Sequence, residues 1–265
     1  MENFAGYLAS GLIGISLGLI GGGGSIITIP VLVYLFHIEP TLATAYSLFI
    51  VGSTSIVGGI RNAFHKMVDV KSAVLFSIPS TVAVYFTRHN VLSHIPESIV
   101  TIHSVTVTKD IAIMVFFSII MLVASLRMIR DSTPDHTEYQ TKQNRFFKII
   151  LLGAVVGVIT GIAGAGGGFL IIPALVFVAA LPMKQAIGTS LIIIAVNSWI
   201  GFISDMTLVR EINFPFMIVL SGLAVAGVFL GAYLTKFVEG RNLKSGFGWF
   251  ALTMSIYILI KEVII

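Results

Sequence analysis

The chain has 265 residues, of which 56% are hydrophobic and 11% are charged, and its mean hydropathy is +1.00. Because an ordinary soluble domain is about a quarter charged, this composition excludes a soluble enzyme and a disordered chain and favours a protein surrounded by lipid. The absence of cysteine excludes a disulfide framework, and we interpret the net charge of +4 as a set of membrane anchors, with no nucleic-acid partner expected.

Eight stretches lack Asp, Glu, Lys and Arg, and a membrane crossing takes about 20 apolar residues. They cover residues 3–36, 40–60, 72–87, 111–126, 149–183, 185–204, 212–235 and 245–260. Six of these stretches suit one transmembrane helix each. The first and the fifth are too long, because one helix of that length would measure roughly 50 Å, whereas the hydrocarbon core measures about 30 Å.

Glycine clusters divide both long stretches. The first holds Gly21-Gly22-Gly23-Gly24-Ser25 and the second holds Gly164-Ala165-Gly166-Gly167-Gly168. Because runs of glycine destabilise a helix, each stretch is predicted to fold as two helical arms around a glycine turn. The arms are predicted near residues 5–20 and 25–36, and near 147–163 and 168–181.

The clusters belong to an internal repeat with an offset of 143 positions, which separates Pro30 from Pro173. It also aligns Gly14 with Gly157, Gly18 with Gly161, Gly21 with Gly164, Gly23 with Gly166, Gly24 with Gly167, Ser47 with Ser190 and Ser55 with Ser198. Internal repeats of this kind are common in secondary transporters. We therefore predict two transmembrane repeats at 1–130 and 147–265, joined by a polar cytoplasmic linker at 131–146.

The loop charges indicate how the repeats are oriented. If each broken stretch is a hairpin, loops 61–71, 127–148, 182–184 and 236–244 share one side and hold twelve of the sixteen Lys and Arg residues. If each is one kinked crossing, the split is ten to six. The positive-inside rule favours the hairpins, with both termini outside. The predicted fold is an all-α polytopic membrane protein of two inverted repeats, each a glycine-broken hairpin plus three transmembrane helices.

The glycine turns are the candidate binding site. Each places a helix N-terminus, with unpaired N–H groups and about half a positive charge, inside the membrane. Two such N-termini that point inward from opposite faces predict a midplane site for a small anion. Close helix packing is the alternative role for glycine. The turn residues assigned to the site are Gly22, Gly23, Gly24, Ser25, Gly166, Gly167 and Gly168, with Ser25 expected as an N-cap.

The next span of each repeat carries matched polar residues. Ser47 and Thr54 lie seven positions apart, as do Ser190 and Asn197, so each pair shares one helix face. Such faces would offer neutral hydrogen-bond donors to an anion. The alternative is that the hydroxyls bond back to carbonyls of their own helix. All four residues are assigned to the site.

The doubled glycine motif resembles the sulfite exporter TauE/SafE family of bacterial membrane transporters, over nearly the whole chain. The resemblance rests on Gly14-x-x-x-Gly18-x-x-Gly21-Gly22-Gly23-Gly24-x-x-x-x-x-Pro30 and on its copy from Gly157 to Pro173. Membership implies transport of small sulfur-containing or organic anions such as sulfite, sulfonates or sulfoacetate, without specifying which. The repeats differ at Tyr46 against Thr189 and at Ser25 against Gly168, so the site is not expected to be symmetric.

Coupling to an ion through a buried carboxylate has little support, because every Asp and Glu lies near the end of a span. Asp205 is the best candidate for such a carboxylate, but we expect it to be an interfacial cap. Arg61 and Arg210 would draw anions to the mouths, although we interpret them as topology anchors. No cofactor and no metal site are predicted, since the histidines match no metal motif.

An anion that leaves a cell with a negative interior gains about 2.3 kcal/mol per charge per 100 mV, which favours export or facilitated movement. A passive anion channel remains an alternative that the sequence does not separate from a carrier. An intramembrane enzyme is disfavoured, since the spans offer no deep His, Asp or Glu.

Overall fold

Ten α-helices make up most of the described residues in a computed structural model. The structure describes residues 2–91, 94–96, 98–102, 105–130, 142–164, 167–206, 212–235, 237 and 240–264. In chain order the helices are α1 (Glu2–Ile20), α2 (Gly23–Tyr34), α3 (Pro40–Phe64), α4 (Val70–Phe86), α5 (Lys109–Arg130), α6 (Lys142–Ala163), α7 (Gly168–Phe177), α8 (Met183–Met206), α9 (Phe214–Leu234) and α10 (Gly240–Ile264).

Between α4 and α5 lies a short irregular segment. A π-helical turn, Thr87–Val91, continues α4, and two strands follow, β1 (Ser98–Ile102) and β2 (Val105–Thr108), which pair antiparallel. The predicted helical membrane fold is otherwise observed in the described residues. Six of their helices are long and apolar enough to cross a membrane, and α3 and α8 are the most buried of the six.

The helix ends follow local chemistry. At the start of α4, Asp69 accepts a hydrogen bond from the Ser72 backbone N–H at 3.1 Å, and at the start of α9, Asn213 accepts one from Phe216 N–H at 3.1 Å. Each cap satisfies an N–H group that lacks a partner in the first helical turn. The linker predicted at 131–146 lies outside the described residues up to 141, and its last five positions belong to α6.

The first broken stretch is an antiparallel hairpin. Near the turn, a Cβ built on Gly24 of α2 would lie 2.5 Å from the Ile13 carbonyl oxygen of α1. At the far end, the rings of Tyr7 and Phe36 meet edge to face at 5.8 Å between centroids. Because α1 and α2 are in contact at both ends, the chain returns along α1 after the turn.

The helices pack in pairs around a centre formed by α3 and α8. Helix α1 lies against α9, α4 against α6, and α5 against α10. Helices α2 and α7 are the short arms that follow the two turns; α2 packs against α3, α7 packs against α8, and the two arms contact each other. This arrangement places the two glycine turns at the core of the protein.

Candidate functional site

The two glycine turns meet directly. A Cβ built on Gly22 would lie 2.3 Å from the Gly168 carbonyl oxygen, and one built on Gly168 would lie 2.7 Å from the Cα of Gly22. Neither position therefore accepts a larger residue without moving the opposite turn. In this conformation the two backbones leave no room for a solute between these two glycines, so a ligand that binds there has to separate the turns.

The backbone of both turns needs glycine. Gly21 has φ +76°, Gly164 has φ +67° and Gly167 has φ +70°. These values lie in the left-handed region, where a Cβ is costly. Each turn therefore ends one helix and restarts another within a few residues, which leaves the N-termini of α2 and α7 buried beside each other.

The central helices present one face to the turns. A Cβ on Gly21 would lie 2.8 Å from Ile187 Cγ2, and one on Gly168 would lie 2.8 Å from Ile194 Cδ1. Ser190 lies between these two isoleucines, on the same face of α8. On α3, Thr44 contacts the second turn at Gly164. Both α3 and α8 therefore lie against the glycine turns.

Several predicted ligand hydroxyls donate to their own helix. Ser25 Oγ donates to the Gly22 carbonyl at 2.7 Å, Thr54 Oγ1 to the Ile50 carbonyl at 2.7 Å, and Ser190 Oγ to the Ile187 carbonyl at 2.8 Å. A hydroxyl has one proton, so these groups are left with acceptor capacity only. The prediction of Ser25 as an N-cap is wrong, because the N-cap of α2 is Gly22 and Ser25 lies within the first turn.

Two predicted site residues have a polar atom without a partner. Ser47 Oγ and Asn197 Nδ2 are fully buried and make no hydrogen bond in the described part of the chain. The Oδ1 atom of Asn197 lies 3.1 Å from Ser80 Oγ and 2.7 Å from Thr81 Oγ1 of α4. A buried donor without a partner costs about 1–3 kcal/mol, so a hydrogen bond to a ligand would stabilise either group.

Thr160 is a site candidate that the sequence analysis missed. A Cβ on Gly167 would lie 2.1 Å from Thr160 Oγ1, and this hydroxyl is buried without a partner. The repeat offers a signal for it, since the position 143 residues earlier is the apolar Leu17. The two turns therefore differ in polarity at this position, with Thr160 beside the second turn and Leu17 beside the first.

The remaining predicted glycines have structural roles. Gly23 begins α2, and Gly24 packs against the Ile13 carbonyl and the Leu17 side chain of α1. Gly167 is the N-cap of α7. Gly166 lies outside the described residues.

A buried ion pair lies next to the second turn. Arg88 Nε donates to Asp205 Oδ1 at 2.6 Å, and Nη2 also contacts the carboxylate. Nη1 donates to the Gly161 carbonyl at 2.9 Å and Nη2 to Thr44 Oγ1 at 3.0 Å. Arg88 is 1% exposed and Asp205 3%. These bonds compensate for the cost of removing two charges from water.

The expectation that Asp205 is an interfacial cap is therefore wrong. Its carboxylate points into the protein and neutralises Arg88, an arginine that the sequence analysis did not single out. Residues 88 and 205 both lie at ends of predicted spans, so the sequence alone gave no reason to bring them together. The pair connects α8 to α4 and to the end of α6, which precedes the glycine turn.

Membrane-length helices around two buried, broken helices define a polytopic α-helical membrane protein, and comparison with known sequences identifies its family. The family model described as sulfite exporter TauE/SafE matches residues 7–258, and the chain belongs to this family. The protein is therefore a membrane transporter.

Curated relatives agree with this assignment. A probable membrane transporter protein of Xylella fastidiosa (strain 9a5c) is 29% identical over 259 residues, which cover 95% of this chain and 92% of the relative. Similar proteins of the same description occur in Methanocaldococcus jannaschii, at 25% identity over 88% of this chain and 86% of the relative, and in Bacillus subtilis, where YunE is 26% identical over 91% of this chain and 92% of the relative. No solved structure gives a significant match.

Proposed function

We propose that this protein moves a small sulfur-containing or organic anion, of the sulfite, sulfonate or sulfoacetate type, across the bacterial plasma membrane. The observation that carries the proposal is the direct meeting of the N-termini of α2 and α7 in the protein core. Two helix N-termini side by side concentrate N–H donors and positive partial charge, which suit an anion. Ser47 Oγ, Thr160 Oγ1 and Asn197 Nδ2 add buried donors without partners.

We infer that the two halves are inverted repeats. When each of α1–α5 is exchanged with the corresponding helix of α6–α10, the packing pairs are retained: α1 with α9 becomes α6 with α4, while α3 with α8 and α5 with α10 map onto themselves. Two pairs of positive-φ residues follow the same offset of 143, Gly21 with Gly164 and His37 with Ala180, whereas Gly167 has no such match at Gly24. This exchange supports a two-fold relation between the halves.

Contacts between helix ends support the orientation. The start of α3 meets the start of α5, where Thr41 N–H donates to Asp110 Oδ1 at 3.0 Å. The Tyr34 hydroxyl, at the end of α2, donates to Glu262 near the end of α10 at 2.8 Å. On the opposite, lysine-rich side, Lys71 lies 4.4 Å from the centre of the Phe146 ring. These groupings match a protein with hairpins, both termini outside and the basic loops in the cytoplasm.

Export follows from the charge of the proposed substrate. An anion that leaves a cell with a negative interior moves down the electrical gradient by about 2.3 kcal/mol per charge per 100 mV. Asp205 is neutralised by Arg88, so it supplies no free carboxylate for a coupling ion. We therefore propose outward or facilitated movement without a coupled cation.

The test is transport in proteoliposomes that contain the purified protein. Vesicles preloaded with sulfite, sulfoacetate, sulfate or acetate are diluted into the radiolabelled anion, and counterflow is measured. We expect saturable counterflow with at least one sulfur-containing anion. Flux without saturation or counterflow would indicate a channel, and accumulation of the anion against an inside-negative potential would contradict passive export.

A conservative substitution tests the role of Ser47. Ser47→Ala removes the hydroxyl whose oxygen has no partner, so we expect little change in melting temperature and a fall in transport of about tenfold, the value of one hydrogen bond to a charged ligand. Ser118→Ala on α5 is the matched control, since the Ser118 hydroxyl is also buried but donates to the Val115 carbonyl at 2.8 Å. Equal transport by the two variants would remove Ser47 from the site.

A further inference from the structure

A cavity of about 90 Å³ opens beside the first glycine turn. A water molecule needs about 10–15 Å³ of such space, so the cavity has room for several waters or for a small ion. The described residues that line it come from both halves of the chain, and none of them is acidic: Gly18, Arg61, Asn62, His65, Met67, Lys184, Ile187, Ala232 and Thr235.

The cavity is positively charged. Arg61 and Lys184 line it from α3 and α8, both are partly exposed, and neither forms an ion pair with another described residue. His65 Nδ1 lies 2.8 Å from the Arg61 carbonyl oxygen, which fixes the ring at the same wall. Two cations without a carboxylate in a confined opening raise the local concentration of anions.

The inner end of the cavity reaches the first turn. Gly18 lies one helical turn before Gly21, and Ile187 is the residue that contacts Gly21. An ion that enters past Arg61 and Lys184 therefore arrives next to the N-terminus of α2. The cavity therefore leads from a basic face of the protein to a glycine turn.

The corresponding place in the other half is closed. Three lining positions, Gly18, Asn62 and Ile187, match Gly161, Asp205 and Thr44 at the offset of 143. There the Arg88 side chain fills the space and bonds to all three of these residues. The carboxylate of Asp205 neutralises that arginine, whereas Asn62, its counterpart, is uncharged, so none of the described lining residues compensates the cations of the cavity.

We propose that the cavity walled by Arg61 and Lys184 is an anion-binding site, where a small oxyanion is held before it reaches the first glycine turn. This inference rests on the proposed function and adds to it a separate outer site. The ligand class is a compact, fully ionised oxyanion, because the opening is small and its charged groups are two cations.

Equilibrium binding of radiolabelled sulfate and sulfite to the purified protein tests this site apart from transport. We expect Arg61→Gln with Lys184→Gln to weaken binding about tenfold or more and to remove most of its dependence on ionic strength. Lys71→Gln is the matched control, since it removes one positive charge on the same side but outside the cavity. Arg61→Lys with Lys184→Arg keeps both charges and should retain binding.

The outcomes separate the two proposals. Binding by the wild type that falls in the neutralised double variant, but not in the control, supports the site even if vesicles show no transport. Binding equal in the double variant and the control, or no binding of either anion by the wild type, overturns it. Counterflow of sulfite, sulfoacetate, sulfate or acetate by the wild type in proteoliposomes decides the proposed function independently of these results.

Discussion

Replacing Arg88 with Gln is expected to destabilise the protein by about 3–5 kcal/mol, the usual effect of removing one partner from a buried ion pair. The substitution leaves the Asp205 carboxylate, which is 3% exposed, without its counter-charge. It also removes the donors to the Gly161 carbonyl and to Thr44 Oγ1. The free energy of unfolding in mixed detergent micelles measures the effect.

A double substitution isolates the contribution of charge. Arg88→Met with Asp205→Leu removes both charges, so it is expected to be more stable than Arg88→Gln alone. Lys71→Gln serves as the control for loss of one positive charge outside the buried region, with an expected change below about 0.5 kcal/mol. A stability of Arg88→Gln equal to that of Lys71→Gln would show that the pair has no structural role.

Substitution of Gly22 with Leu is expected to abolish transport. The added Cβ would lie 2.3 Å from the Gly168 carbonyl oxygen and 2.4 Å from its carbonyl carbon, and a backbone cannot move aside as a flexible side chain does. The leucine side chain would hold the two turns apart and would itself occupy the space between the N-termini of α2 and α7 that a bound anion needs. Overpacking also lowers the free energy of unfolding, by about 1–3 kcal/mol or more.

The matched control for Gly22→Leu is Gly11→Leu on α1, because a Cβ at Gly11 meets no atom within 4 Å. We expect Gly11→Leu to fold and to transport as the wild type does. Counterflow in proteoliposomes, normalised to the amount of folded protein, compares the two. Full transport by Gly22→Leu would contradict the proposal that the meeting turns form the site.

The helices were predicted well because the two sequence features that mark their ends, charged residues and glycine clusters, act locally along the chain. Charges and caps such as Asp69 mark where spans end, and glycine clusters mark where a helix must stop inside the membrane. Gly21 and Gly164 show this directly, since both adopt the left-handed conformation at the predicted breaks. The contact between the two turns was also predicted, because the repeat placed them at equivalent positions of the two halves.

The polar contacts of the site were less predictable, because they depend on which helix lies opposite. Thr54 and Ser190 share a helix face with Ser47 and Asn197 in the sequence pattern, yet their hydroxyls donate to their own helices. The partnership of Arg88 with Asp205 joins residues 117 positions apart, at the ends of two different spans. Neither residue spacing nor composition indicates that Arg88 and Asp205 pair, because the pairing depends on how α4 packs against α8.

Under the proposed inverted arrangement, the exchange of Asn62 for Asp205 makes the approaches to the two glycine turns electrostatically different. Among the described residues, the approach lined by Arg61 and Lys184 has no carboxylate, whereas Arg88 at the other is paired with Asp205, so an anion is expected to be captured at lower concentration from the basic side. Detailed balance then requires a compensating difference in maximal velocity, so that no net flow occurs at equal activities without a voltage. Half-saturation constants for influx and efflux in vesicles of uniform orientation are therefore expected to differ, and equal constants would contradict this asymmetry.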